Sequence, residues 1–361
     1  MSALRVAIGF GPGPGGWDEA LTFAREAERL GVDSAWTSEA WGFDAVTPLA
    51  LLAGRTERLR LGTGIMQAGT RTPALVAMTA LTLSSISGGR FILGLGSSGP
   101  QVIEGWHGIP FRQPLQRLRE IVEIVRLACS GERVAYSGTV YTLPLPGGEG
   151  RALRTSAPPA PVPIFLATLG PRALEMTGEL ADGWIASSFM PRHSSVFLEP
   201  IRRGAARAGR SLDGFEVVAG GVVAFGDDLE RLVAPRKPGF AFEIGAMGSP
   251  TRNFYKDAYA RQGYADLVDR VQALWLERRR DEAAALIPDE FVLEANLLGT
   301  DEMVRDRIRV YRDGGVTTLQ VSPAGHTLAE RLETLGRFME LVREVNAEPA
   351  PESRGPEAAA P

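Results

Sequence analysis

The chain has 361 residues, 44% of them hydrophobic and 23% charged, with a formal net charge of −4 and a single cysteine, Cys129. That is enough apolar material for one large domain, and the faint acidic excess without basic patches excludes an ordinary nucleic-acid binder. An internal disulfide is impossible with one cysteine, and no run reaches the roughly 18 apolar residues of a membrane span.

In chain order, short β-type runs alternate with amphipathic helices. Residues 5–10 read as a strand, 17–30 as a helix stopped by Gly31, 33–38 as a second strand and 47–53 as a helix. Residues 59–66 and 90–95 are the third and fourth strands, with helices over 74–86 and 115–128. Cys129 falls in the apolar spacing of Ile121, Ile124 and Val125, which marks it as core. The rhythm breaks at 134–143, a hairpin turning at Ser137 and Gly138, and at the Gly/Pro-rich connection 147–161. It resumes with strands at 162–167, 182–186 and 215–225 and helices over 172–180 and 197–208. A long helical stretch over 251–286, an eighth strand at 315–321 and a helix over 328–345 complete the pattern.

Eight strands, each followed by helical sequence, predict an α/β (β/α)8 TIM barrel with insertions; an open doubly wound sheet is the alternative. The expected organisation is one domain over 1–346, with a hairpin insertion near 131–161, a helical insertion near 236–295 and a disordered tail over 347–361. The N-terminal apolar run is short for a signal peptide, so a cytoplasmic location is expected.

Barrel chemistry lives at the strand ends. The third strand ends in Gly62, Thr63, Gly64 and Ile65, glycines that either let backbone approach a flat ligand or simply make a tight exit. The fourth ends in Gly96, Ser97, Ser98 and Gly99, suited to a phosphate or a ring edge but lacking dinucleotide or Walker spacing. Glu104, Trp106 and His107 follow, either an acid/base cluster beside an aromatic ring or ordinary loop groups. After the fifth strand, Thr168, Gly170, Pro171 and Arg172 open a helix whose free N–H groups offer an anion seat. Glu39 and Trp41 close the second strand at the expected mouth. The three histidines are scattered and form no metal-binding pair, so no metal is expected.

Taken together, residues 30–36 (LGVDSAW), 60–64 (RLGTG), 72–74 (TPA), 89–96 (GRFILGLG) and 173–184, ending ADGW, resemble the luciferase-like oxidoreductases over roughly residues 4–325. Residues 96–108 (GSSGPQVIEGWHG) and the stretch 245–255 are closest to the branch using the deazaflavin coenzyme F420, similar to methylenetetrahydromethanopterin reductase. The resemblance implies a (β/α)8 barrel, commonly dimeric, that transfers hydride between F420 and a small-molecule substrate. It places a cis peptide at Gly64–Ile65 behind the deazaflavin ring, with Thr63 in the same segment. Gly96, Ser97 and Ser98 would line the cofactor, Thr168, Gly170 and Arg172 would hold its phosphate-bearing tail, and Glu104 would be the proton donor. A sugar-phosphate dehydrogenase of this branch has an Asp-His pair where this chain has Glu39 and Ala40. The missing histidine favours reduction of a C=C, C=N or C=O bond, with Glu104, His107 and Glu39 as candidate catalytic groups and Trp41 and Trp106 walling the substrate. The rivals are an FMN-dependent monooxygenase of the same fold and a deazaflavin-binding protein without turnover.

Overall fold

The computed structural model describes residues 3–248 and 253–349. Eight strands, β1 (Arg5–Gly9), β2 (Ser34–Thr37), β3 (Arg60–Thr63), β4 (Phe91–Gly96), β5 (Ile164–Ala167), β6 (Gly183–Ile185), β7 (Glu216–Ala219) and β8 (Thr318–Pro323), pair in parallel in that order. β8 pairs back onto β1, Arg5 opposite Thr318 and Ile8 opposite Val321, so the sheet closes into a barrel and the open-sheet alternative is excluded. Around it lie α1 (Gly16–Leu30), α2 (Thr47–Ala53), α3 (Pro73–Ile86), α4 (Pro114–Cys129), α5 (Pro171–Leu180), α6 (Ser195–Arg207), α7 (Asp301–Asp313) and α8 (Leu328–Ala347).

Two apolar layers hold this arrangement. Outward-facing strand residues such as Ile8, Leu61 and Leu95 pack against the helices. Inside, Ala7, Trp36, Ile92, Phe165, Ile185 and Val218 fill the barrel, with the Trp36 and Phe165 rings 5.8 Å apart. The filling dictates two glycines. A Cβ at Gly62 would lie 2.4 Å from the Trp36 ring, and one at Gly94 only 1.7 Å from the Thr63 carbonyl oxygen. At the N-terminal ends of the strands, Arg60 bridges Asp33 (2.6 Å) and Glu216 (2.9 Å), an ion cluster at the face associated with stability. Leu4, just before β1, exchanges two hydrogen bonds with the Asn346 side chain in the last turn of α8, at 2.8 and 2.9 Å. Cys129 is buried and free, and burial pushes its thiol pKa up.

The connections depart from expectation in four places. Residues 215–225 are not one strand: Gly220, whose Cβ would meet the Gln320 carbonyl at 2.1 Å, separates β7 from a second segment, Val222–Phe225. That segment pairs with the end of β8 and with Leu297–Gly299. The expected helix over 251–286, whose residues 251 and 252 lie outside the described residues, is not one helix from 253 on. The chain forms Lys237–Ala246 and Phe254–Tyr259, a π-helical turn Ala260–Tyr264 in which Gly263 takes φ +97°, then Ala265–Leu276, Arg280–Ala285 and Asp289–Ala295. These helices share their own apolar cluster around Ile244, Tyr259, Val268 and Phe291. Neither Leu297–Gly299 nor α7 is expected from periodicity alone. Finally, the hairpin is shorter than expected, Tyr136–Ser137 against Thr142–Leu143, and turns over Gly138–Tyr141. The last twelve residues of the expected tail, 350–361, lie outside the described residues, as does Ser249.

Candidate active site at the barrel mouth

The C-terminal ends of β2 to β6 carry the expected residues. β3 leaves the barrel through a cis Gly64–Ile65 peptide, half-exposed, with the Ile65 side chain over Gly96: a Cβ there would sit 3.1 Å from Ile65 Cδ1. Ser97 and Ser98 are half-buried beyond it. Ser97 Oγ is 3.4 Å from the Pro114 carbonyl, and Ser98 adopts φ +56°. Backbone, the Ile65 side chain and two serines therefore make up one wall of the mouth.

Two expected contacts are spent elsewhere. The Thr63 hydroxyl is fully buried, donating to the Gly94 carbonyl (2.8 Å) and accepting from the Gly94 N–H (2.9 Å). It stitches β3 to β4 and is closed to a ligand. The Thr168 hydroxyl pairs with Thr177 of α5 at 2.7 Å, while its carbonyl accepts from the Trp184 indole at 2.9 Å. Gly170 is the residue before α5, Pro171 opens the helix and Arg172 follows, exposed. The Arg172 and Ala173 N–H groups belong to the unpaired first turn, and a Cβ at Gly170 would meet nothing within 4 Å, so this helix end is open to an anion.

The three candidate acid/base groups do not meet. Glu39 is held by a bidentate pair with Arg71 and accepts from the N–H of Gln67 (2.8 Å) and Ala45 (3.1 Å). With four donors on two oxygens it anchors the β2 exit and has no oxygen left for proton transfer. Glu104 is exposed and accepts from the Phe111 N–H at 2.9 Å. His107 is exposed on the same loop, beside Trp106 at 66% exposure, and Trp41 lies 59% exposed after β2. The Gln101 amide of this loop donates to the Gly248 carbonyl, so the β4 exit touches the helical connection before β8.

That connection supplies groups that periodicity does not reveal. Arg261 in the π-helical turn donates to the Leu169 carbonyl (2.6 Å) at the β5 exit. Gln262 beside it donates to the Ser188 carbonyl (2.7 Å) and accepts from the Met190 N–H (2.8 Å) at the β6 exit. Glu243, the one acid in the apolar stretch 240–244, is a readable signal. Burial holds its carboxyl above the usual carboxylate range, against opposing hydrogen bonds from Ser188 and Tyr259. Among the described residues no three His, Cys, Asp or Glu side chains cluster as metal ligands, and no helix is long and apolar enough to cross a membrane. A groove of about 640 Å³ lined by Arg126, Cys129, Asp182 and Glu216 opens at the other end of the strands, away from the mouth.

Comparison with known proteins identifies the fold and the family. A Mycobacterium tuberculosis protein provisionally named a coenzyme F420-dependent oxidoreductase is 44% identical over 305 residues, covering 82% of this chain and 88% of its own. The 5,10-methylenetetrahydromethanopterin reductase of Archaeoglobus fulgidus is 27% identical over 317 residues, covering 87% and 92%. The fold matches the solved coenzyme F420-dependent tetrahydromethanopterin reductase of Methanopyrus kandleri with a TM-score of 0.76 at 24% identity, over 93% of this chain and 98% of that one. Residues 3–318 match the luciferase-like monooxygenase family, and the chain belongs to it.

Proposed function

We propose that the protein is an F420-dependent reductase that passes hydride from the reduced coenzyme to a C=C, C=N or C=O bond of a small organic substrate. The observation that carries this reading is the β3–β4 wall, where the half-exposed Gly64–Ile65 peptide, the Ile65 side chain over Gly96, and the short side chains of Ser97 and Ser98 together suit a planar ring. The name of the relative at 44% identity supports F420 as that ring system. When bound, the deazaflavin supplies a hydride and reacts poorly with oxygen.

The residues present fit such a cofactor. Ile65 backs the ring, the Ser97–Ser98 segment meets its edge, and Gly170, the first-turn N–H groups of α5 and Arg172 receive the phosphate of the tail. Thr63 and Thr168 act at one remove, fixing β4 and α5. Trp41 and Trp106 cover the substrate, and Glu104, with His107 beside it, is the acid of the β4 loop. Glu39 holds the β2 exit in place through Arg71.

The active form is a homodimer. α3 is apolar on all sides, and Leu75, Met78 and Ile86 on it, with Leu51 on α2, remain exposed in one chain. The family's own description, a luciferase-like monooxygenase, keeps one rival, which would use FMN in place of F420. A fluorescence titration with F420 and FMN in parallel separates them, followed by turnover of reduced F420 with cyclohexenone, pyrroline and cyclohexanone. Micromolar F420 binding with weak FMN binding supports the reductase, and preference for FMN refutes it. Tight F420 binding with no turnover of any acceptor points to the carrier reading.

A further inference from the structure

Hydride addition to a double bond leaves one atom in need of a proton, and the structure offers a holder for it that none of the strand-end motifs contains. Glu243 lies in helix Lys237–Ala246, its carboxyl lodged at the β6 exit. Ser188 Oγ donates to it at 2.5 Å, and the Tyr259 hydroxyl lies 3.3 Å from its second oxygen. Ser188 is held at φ +50° between this contact and Gln262. Tyr255, one turn before Tyr259, is the second phenol against the carboxyl; burial first, and Glu243 next, push both phenols up.

The cations on the packed elements are directed elsewhere: Arg261 donates to the Leu169 carbonyl and Arg236 to that of Leu232. Lys256 pairs with Asp269 (2.7 Å), Lys237 with Asp289 (2.6 Å), and Arg279 with Glu277 and Glu282. Among the described residues, no cation stands within ion-pair distance of Glu243. Burial with no cation beside it favours the protonated carboxyl over the opposing hydroxyl bonds, and that is the form a general acid needs. Glu39, tied to Arg71, and Glu104, exposed to water, have no such surroundings.

We propose that Glu243 carries the proton delivered to the substrate during reduction, acting from the β6 wall of the mouth, three places round the ring from the β3 exit. This rests on the reductase reading above. As the substrate carbon gains hydride from the reduced coenzyme, the O–H bond of Glu243 breaks and an N–H, O–H or C–H bond forms on the partner atom. The carboxylate left behind is stabilised by the Ser188 and Tyr259 hydroxyls and regains its proton from water. The substrate class that fits is a neutral acceptor whose heteroatom, or conjugated carbon, can face a carboxylic acid.

The test compares the wild-type protein with Glu243→Gln. Without any ligand, melting temperature is followed from about pH 5 to about pH 8: a raised carboxyl pKa in the folded state costs stability as pH rises, so the variant gains on the wild type toward about pH 8. F420 affinity by fluorescence is unchanged. For whichever of cyclohexenone, pyrroline and cyclohexanone the wild type reduces, kcat falls about a hundredfold or more at similar KM, and the alkaline limb of its pH profile disappears. A melting difference that does not vary with pH means an ionised carboxyl and overturns the proposal with no substrate needed, as does wild-type kcat in the variant. Failure of the wild type to bind F420 removes the reductase reading instead and leaves the melting profile to decide whether Glu243 holds a proton.

Discussion

Glu120 on α4 gives the sharpest quantitative prediction. Its side chain is wholly buried, and its two oxygens accept from the N–H groups of Thr139 (2.7 Å), Val140 (2.9 Å) and Tyr141 (2.7 Å) and from Gln116 (2.8 Å). This carboxylate, rather than the short strands, fixes the hairpin between α4 and β5. Glu120→Gln keeps the shape but removes the charge and sets an amide N–H against backbone N–H groups. Hydrogen bonds to charged groups contribute about 1.5–3 kcal/mol, and a buried unsatisfied donor costs about 1–3 kcal/mol, so a loss of about 3 kcal/mol is expected in the local stability of the hairpin. At about 1.4 kcal/mol per factor of ten, the amides of residues 139–141 exchange with solvent about a hundredfold faster, while those of β4 and β5 keep their rates. Burial acts to raise the Glu120 pKa, but the bonds from Gln116 and the hairpin N–H groups outweigh it and leave it below the usual value. The stabilisation is therefore present above the unfolded glutamate pKa of about 4.3 and is lost as pH falls through the lower folded value, so wild-type exchange approaches that of the variant in acid. Unaltered exchange at 139–141 in Glu120→Gln would refute the assignment.

Three further outcomes follow from the packing and the mouth. Gly94→Ala pushes a methyl into the Thr63 carbonyl, backbone against backbone, so β3 and β4 must part; a loss of about 1–3 kcal/mol in calorimetry and weaker F420 binding are expected. Arg172→Ala lowers F420 affinity about tenfold in fluorescence titration, more at low salt than at high, with little change in melting temperature. Leu75→Glu with Met78→Glu produces monomers in light scattering; a persistent dimer means that another face is used.

The barrel was legible because each strand is an apolar run with a helix pattern behind it, and because the glycines at 62, 64, 94 and 96 mark crowded or open backbone. What escaped was set by neighbours distant in sequence. Leu297–Gly299 is too short to show a period, and its identity as a strand comes from pairing with Val222–Phe225. α7 does carry a signal, Thr300 accepting from the Met303 N–H ahead of Val304, Ile308 and Tyr311, but its many charges mask the apolar stripe. The helical run after residue 250 is broken by Gly263 in a left-handed conformation, a point where composition still looks helical. At the site, residue type at Thr63, Thr168 and Glu39 suggested ligand contact, whereas their hydrogen-bonding capacity is consumed by Gly94, Thr177 and Arg71. Glu243 stands out in the sequence as the one acid among residues 240–244, but its place at the β6 exit beside Ser188 and Tyr259 belongs to the fold.

The seam between Leu4 and Asn346 has a consequence for how the molecule is made. Those residues are 342 positions apart, and β1 cannot be walled on its second side until β8 has emerged and docked. A chain in which β8 has not yet been made has an open sheet with an unpaired β1 edge, so the mouth has no fixed diameter until β8 docks. Cofactor capture is thereby placed after barrel closure, and a truncation that removes β8 and α8 is expected to forfeit ligand binding although the proposed cofactor wall at the β3, β4 and β5 exits precedes both in sequence.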